Sequence, residues 1–179
     1  MMQSLWIFGY GSLVWNPGFA WSSRQLAQLA GFRRSFCMLS IHHRGTEEKP
    51  GLVLALDAAE DASCNGVAFE VSGEIADETL EYLRARELIS AAYLERVETL
   101  SLEDGRQVQA VVYVIDRAHW QYCGALTLED QAQRIAGAVG GRGPNSEYLH
   151  QTAAHLAALG LPDDELEWLS SRVKVLQAT

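Results

Sequence analysis

Apolar and polar positions along this chain follow a short period first and a helical one in the last third. Leu5–Phe8 is an unbroken apolar run that stops at Gly9, with the length and aromatic content of a buried strand. Phe32 to Ile41 predicts a second strand, followed by a polar loop from His42 to Pro50. Gly51 to Leu56 is a further apolar run, expected to be a central strand that Asp57 ends. From Gly66 the period is two, with Val67, Phe69 and Val71 on one face and Glu70 on the other. A helix is expected from Ala76 or Asp77, where Asp77 and Glu78 suit the positive end of its dipole. It runs through Leu80, Leu83 and Glu87 and frays before Ser90. Val97–Leu102 and Val108–Ile115 flank Asp104-Gly105, a hairpin turn signal. Helical pattern then covers about Thr127 to Val139, Pro144 to Leu159, and Pro162 to the end, with Gly140-Gly141-Arg142-Gly143 separating the first two. Strands before Ile115 and helices after Thr127 predict one α+β domain over 1–179, without repeats or linker.

Composition narrows the function classes. The 179 residues are 48% hydrophobic and 21% charged, an ordinary globular balance that excludes long disorder. The 14 Lys and Arg against 23 Asp and Glu leave a net charge of −9, and no basic run occurs. A phosphate-neutralising surface needs clustered cations, so nucleic acid is not an expected partner. Cys37, Cys64 and Cys123 are scattered and form no CxxC, which supports neither a zinc knuckle nor a thioredoxin-type motif. No apolar stretch approaches the ~20 residues that span a bilayer. The N-terminus lacks the charged region of a signal peptide. A soluble, cytoplasmic protein with reduced thiols and no membrane partner is expected. The sequence carries no signal for oligomeric state.

Several segments could carry chemistry. In Gly9-Tyr10-Gly11-Ser12-Leu13, a strand ends in two glycines one residue apart, so several backbone N–H groups can converge on a carboxylate or phosphate. Phosphate motifs fail, because no Gly-Lys-Ser/Thr follows and the third glycine of GxGxxG would fall at Val14. Ser12 is no nucleophile elbow either, since Tyr10 and Val14 stand where that motif has glycines. An ordinary tight turn is the competing reading. Glu87 lies about 20° from Leu80 on a helical wheel, on the face that should point inward. A carboxylate there either meets a cation or sits partly desolvated with a raised pKa. Alternatively, Arg84 pairs with Glu87 and holds it at the surface, or the helix ends earlier. His42 and His43 would point to opposite faces and make a poor metal pair. A nucleophile pair of Cys37 or Cys64 with His43 is a further alternative. Arg44 either clamps a substrate carboxylate or is solvated. Asn145, Glu147 and Tyr148 open a helix: they reach a cleft with the Tyr148 hydroxyl donating, or they cap the helix while Tyr148 and Leu149 join the core.

Taken in order, four segments resemble the ChaC-type γ-glutamylcyclotransferases. They are Phe8-Gly9-Tyr10-Gly11-Ser12-Leu13-Val14-Trp15; His43-Arg44-Gly45 followed by Pro50-Gly51; Tyr82-Leu83-Arg84-Ala85-Arg86-Glu87; and Asn145-Ser146-Glu147-Tyr148-Leu149. The resemblance runs over roughly Leu5 to Leu176, and the N-terminal octet is its most distinctive part. It implies a mixed β-barrel-like sheet with packed helices, the γ-glutamylcyclotransferase fold. The activity it implies is cleavage of glutathione, a small-molecule substrate, to 5-oxoproline and Cys-Gly, without a cofactor or metal. By the same resemblance Glu87 matches the catalytic glutamate, and Tyr10, Gly11, Ser12 and Leu13 would bind the α-amino-acid end of the γ-glutamyl group. Arg44, Pro50, Gly51 and Tyr148 would line the substrate cleft. The segment Leu88-Ile89-Ser90-Ala91-Ala92-Tyr93 follows the family's glycine-containing version only loosely. Related substrates, γ-glutamyl amino acids or amines, and a catalytically silent γ-glutamyl-binding regulator are the alternatives.

Overall fold

The computed structural model describes residues 3–88 and 91–179. Among them, β1 (Leu5–Gly9), β2 (Ser23–Ser40), β3 (Gly51–Val71), β4 (Tyr93–Leu102) and β5 (Gln107–Ile115) close a barrel. The strand order is β1-β3-β2-β4-β5, and β3 also meets β5. β1 runs antiparallel to β3 with Ile7 opposite Phe69, and β4 antiparallel to β5. β1 and β3 run parallel to β5, so the barrel is mixed and the fold is α+β, as expected. Closure leaves its strands with paired edges.

Three strands are clearly longer than the apolar pattern predicts, β4 by starting at Tyr93 rather than Val97. β2 begins at Ser23, not Phe32, because its first half is a half-buried strand whose exposed positions are Arg24, Gln28 and Ala30. Exposure then shifts to Arg33, a change of face at Gly31 that breaks a period-two reading. β3 continues through Asp57, which was expected to end it. The Asp57 carboxylate is buried inside the strand and accepts from Arg117 Nε at 2.6 Å, so its charge is matched where it sits. Between β1 and β2, where the sequence leaves an anion-binding loop and an ordinary tight turn open, the chain makes one turn of helix, α1 (Ser12–Trp15).

Contacts divide the chain into two units: Met1–Arg34 with Leu56–His119, and Ser35–Ala55 with Trp120–Thr179. In the first, Ile7, Leu13, Val71, Leu83, Val111 and Tyr113 form a buried cluster, with Leu80, Leu88 and Tyr93 packed against it. Leu83 belongs to α2 (Ala76–Glu87), which starts where the acidic pair predicts, after a single 3-10 turn at Gly73–Ile75. It ends with the Leu88 N–H donating to the Arg84 carbonyl at 3.0 Å. The fray expected before Ser90 lies outside the described residues.

The second unit holds α3 (Leu128–Gly137), α4 (Asn145–Ala158) and α5 (Asp164–Ala178). The Thr127 hydroxyl caps α3 by accepting from the Asp130 N–H, and the Asp163 carboxylate caps α5 through Leu166. Ile135, Leu149, Leu156, Leu169 and Val173 are among the buried apolar residues these helices contribute. The glycine run between α3 and α4 forms a small hairpin of β6 (Val139–Gly140) and β7 (Gly143–Pro144). Among the described residues, no helix is long and apolar enough to cross a membrane.

Candidate active site

The residues expected at the site fall in both units, and each set is gathered within its own. In the first unit β1 delivers the chain to Tyr10, which is anchored at both ends. Its hydroxyl donates to the Tyr113 carbonyl at 3.1 Å, and its own carbonyl accepts from Arg34 Nε at 2.6 Å. Gly11 then stands at the head of α1, and Leu13 drops into the buried cluster. This turn leaves Ser12 half-buried, its Oγ accepting from Arg86 Nη2 at 3.1 Å.

Glu87 closes α2, one helical turn past the buried Leu83. Of the two environments expected for an inward carboxylate, it meets a cation: Oε1 lies 3.3 Å from Arg86 Nε, and the side chain keeps 16% of its accessible surface. The cation is not Arg84. That guanidinium turns to β4, where Nε and Nη2 donate to the two oxygens of Glu95 at 2.9 Å each. This pairing holds the Glu95 carboxyl below the ordinary carboxylate range, against the opposing effect of its partial burial. Glu95 also accepts from the Tyr113 hydroxyl at 2.9 Å. Burial is the largest influence raising the Tyr113 phenol above its usual pKa, followed by the bond to Glu95 and the charges of Glu95 and Glu87. The Tyr113 hydroxyl therefore stays protonated near neutrality.

In the second unit the loop after β2 carries Arg44, which is buried rather than solvated. Its Nη1 donates to the Pro144 carbonyl at 3.1 Å and lies 3.9 Å from Glu147 Oε2. The guanidinium carbon sits 5.8 Å from the centre of the Tyr148 ring. Desolvation lowers the Arg44 pKa from its ordinary value, opposed mainly by Glu147. Pro50 and Gly51 pass close beside this loop. A side chain on Gly51 would overlap the Arg44 carbonyl, one on Gly45 the Gly51 nitrogen, and one on Gly140 the Gly45 nitrogen. Three stretches of main chain cross here with no room for a Cβ.

The helix opening at Asn145 resolves toward the core. The Asn145 side chain is fully buried and pairs with Leu52 as a neighbouring strand would. Its Oδ1 accepts from the Leu52 N–H, and its Nδ2 donates to the Leu52 carbonyl, both at 2.8 Å. The Tyr148 hydroxyl oxygen accepts from the Leu54 N–H at 3.2 Å, so its position is set by β3. Glu147 stays exposed.

Arg86, Tyr113, Glu95 and Asn145's strand-like role were not singled out by the pattern. A cation beside Glu87 was the signal for Arg86, but two arginines compete for that place in Arg84-Ala85-Arg86-Glu87. Cys37 and Cys64 are buried, and burial pushes the Cys123 thiol up to about 11. Among the described residues, no group of three or more His, Cys, Asp or Glu side chains could hold a metal ion.

Comparison with known proteins is consistent across sequence and structure. A family described as ChaC-like protein matches residues 5–176. The chain is 38% identical over 174 residues to a glutathione-specific γ-glutamylcyclotransferase of Escherichia coli (strain K12), covering 97% of this chain and 74% of that protein. It is 38% identical over 179 residues to glutathione-specific γ-glutamylcyclotransferase 1 of Danio rerio, covering 99% and 91%. Its fold is similar to the crystal structure of a γ-glutamylcyclotransferase specific to glutathione from yeast, with a TM-score of 0.87 and 25% identity over 98% of this chain and 100% of that one.

Proposed function

The chain belongs to the ChaC-like family, and from that premise we propose that it is a glutathione-specific γ-glutamylcyclotransferase, a lyase releasing 5-oxoproline and Cys-Gly. The observation that carries the assignment of residues is local to the first unit. The Glu87 carboxylate and the Ser12 hydroxyl at the glycine turn are partners of one guanidinium.

The substrate supplies its own nucleophile. Its α-amine attacks the γ-amide carbonyl carbon, the five-membered lactam closes, and the bond to the cysteinyl nitrogen breaks. Orientation of a flexible chain into such geometry can contribute roughly 7–11 kcal/mol. The attacking nitrogen arrives as an ammonium and must lose protons to become a lactam N–H. The departing cysteinyl nitrogen must gain protons, because an amide anion is a very poor leaving group. Glu87 is proposed to take protons from the first nitrogen and return them to the second, a role worth about 10²–10⁴-fold.

In this reading Tyr10, Gly11, Ser12 and Leu13 hold the α-amino-acid end of the substrate, with main-chain N–H groups toward its carboxylate. Arg44, Pro50, Gly51 and Tyr148 line the substrate cleft. Local cations such as Arg44 and Arg86 favour an anionic substrate on a chain whose net charge is −9. The family match spans both units, which supports reading them as one γ-glutamylcyclotransferase domain. A cytoplasmic location is part of this proposal and suits a sequence whose three cysteines form no CxxC.

The test is incubation of purified protein with glutathione and mass-spectrometric identification of products, beside γ-glutamyl amino acids and γ-glutamylamines. Glutathione yields 5-oxoproline and Cys-Gly in equal amounts, and Glu87→Gln lowers this rate about 10²–10⁴-fold while leaving the melting temperature in place. Free glutamate as product, or undiminished turnover by Glu87→Gln, refutes the assignment.

A further inference from the structure

Arg86 is enclosed to a degree unusual for an arginine at a helix end: its side chain keeps 11% of its accessible surface. Each nitrogen of its fork has separate work. Nε faces Glu87 Oε1 at 3.3 Å, and Nη2 donates to Ser12 Oγ at 3.1 Å. Nη1 donates to the carbonyls of Asn16 and Pro17, at 2.7 and 3.0 Å, and to the Tyr82 hydroxyl at 3.2 Å. The partners in α1 are its first residue and its C-cap, so the guanidinium grips both ends of that turn. A single helical turn has no stability of its own, and its order must come from outside. Tyr82, one turn earlier on α2, completes the grip. Gly18 has φ +76°, and a Cβ there would overlap the Tyr82 hydroxyl. The pair at i and i+4 therefore clamps the segment from Ser12 to Gly18 onto the helix that carries Glu87.

We propose that Arg86 is a positioning residue, fixing the glycine-turn segment and the Glu87 carboxylate in one register so that the substrate amine meets the proton carrier. This rests on the reading of Glu87 given above. A lysine could reproduce the charge beside Glu87, but not a planar fork that addresses several acceptors at once. Displacement of reacting groups by about 1 Å costs about 10²-fold in rate.

The experiment compares wild type, Arg86→Met, Arg86→Lys and Glu87→Gln by glutathione turnover, thermal melting and hydrogen exchange of the peptide spanning residues 10–18. Arg86→Met is expected to melt near wild type, to lose about tenfold in amide protection over Ser12–Trp15, and to lose about 100-fold in kcat with KM changed less than about threefold. Arg86→Lys recovers no more than about a tenth of the wild-type kcat. A near-wild-type kcat in Arg86→Lys, or in Arg86→Met beside a silent Glu87→Gln, overturns this inference and leaves the role of Glu87 standing. A raised KM with unchanged kcat also overturns it. Inactive wild type, or active Glu87→Gln, overturns the reading of the site instead. The grip is then judged on exchange alone: unchanged protection in both Arg86 variants overturns it, and loss of protection upholds it.

Discussion

Asn145→Ala removes a side chain that acts as a missing strand. Its amide satisfies both the N–H and the carbonyl of Leu52, each at 2.8 Å and both buried. Alanine leaves two buried backbone groups without those partners, at about 1–3 kcal/mol each, so the expected loss is about 2–6 kcal/mol. Water entering the vacated space would hold the loss near the lower figure. In urea, with a slope near 2 kcal/mol/M, the midpoint falls by about 1–3 M at unchanged slope. Asn145→Asp keeps the volume and one acceptor but turns a second oxygen toward the Leu52 carbonyl. Its loss at neutral pH is at least as large, and it eases as pH falls because a protonated carboxyl can donate there. A loss below about 1 kcal/mol for Asn145→Ala would refute the reasoning, since Leu52 would then be satisfied by other means.

Two further outcomes follow from ionisation. Burial pushes the Cys123 thiol up to about 11, so its thiolate fraction at pH 7 is about 10⁻⁴. Iodoacetamide should therefore react slowly with Cys123 near neutrality and leave 5-oxoproline release intact; rapid alkylation that stops turnover would instead support a cysteine nucleophile. His150, whose Nδ1 lies 2.7 Å from Ser170 Oγ, has its pKa lowered from 6.5 by burial and then by Lys174. The unfolded chain takes its proton first as pH falls, so stability is complete above pH 6.5 and is lost on descending through the lowered folded value. The melting temperature should fall between pH 7 and pH 5, and His150→Asn should flatten part of that slope; an unchanged slope would refute this.

Local patterns announced much of this architecture. The apolar run of β1, the acidic entry to α2, the turn at Asp104-Gly105 and the three helices of the last third were all legible, because each is decided by residues a few positions apart, whereas the cap read at Asn145 is not made. Glu87 was legible for the same reason, as the carboxylate on a helix face shared with Leu80 and Leu83. What stayed hidden depends on distant partners. β3 passes through Asp57 because Arg117 arrives from 60 residues away to meet its charge. Which arginine serves Glu87 depends on where β4 places Glu95, and Glu95 opposes Tyr113 only because the hairpin loop runs from Glu103 to Gly105. A pairing shifted by one residue would set Glu95 against Val112 or Val114 and turn the phenol away. The fork of Arg86 was invisible because two of its acceptors are main-chain carbonyls, which every residue carries, and Ser12 lies 74 residues away.

The crossing at Gly45, Gly51 and Gly140 is filled by backbone, with the Asn145 side-chain oxygen beside Gly51. Randomised libraries at those positions would return misfolded clones, since even a methyl group has nowhere to go. The neighbouring stretch from Thr46 to Lys49 is exposed and closed on itself by the Thr46 N–H donating to the Lys49 carbonyl at 3.1 Å. Diversification of this corner accordingly runs through the length of that stretch rather than through the composition of the junction it leaves and rejoins.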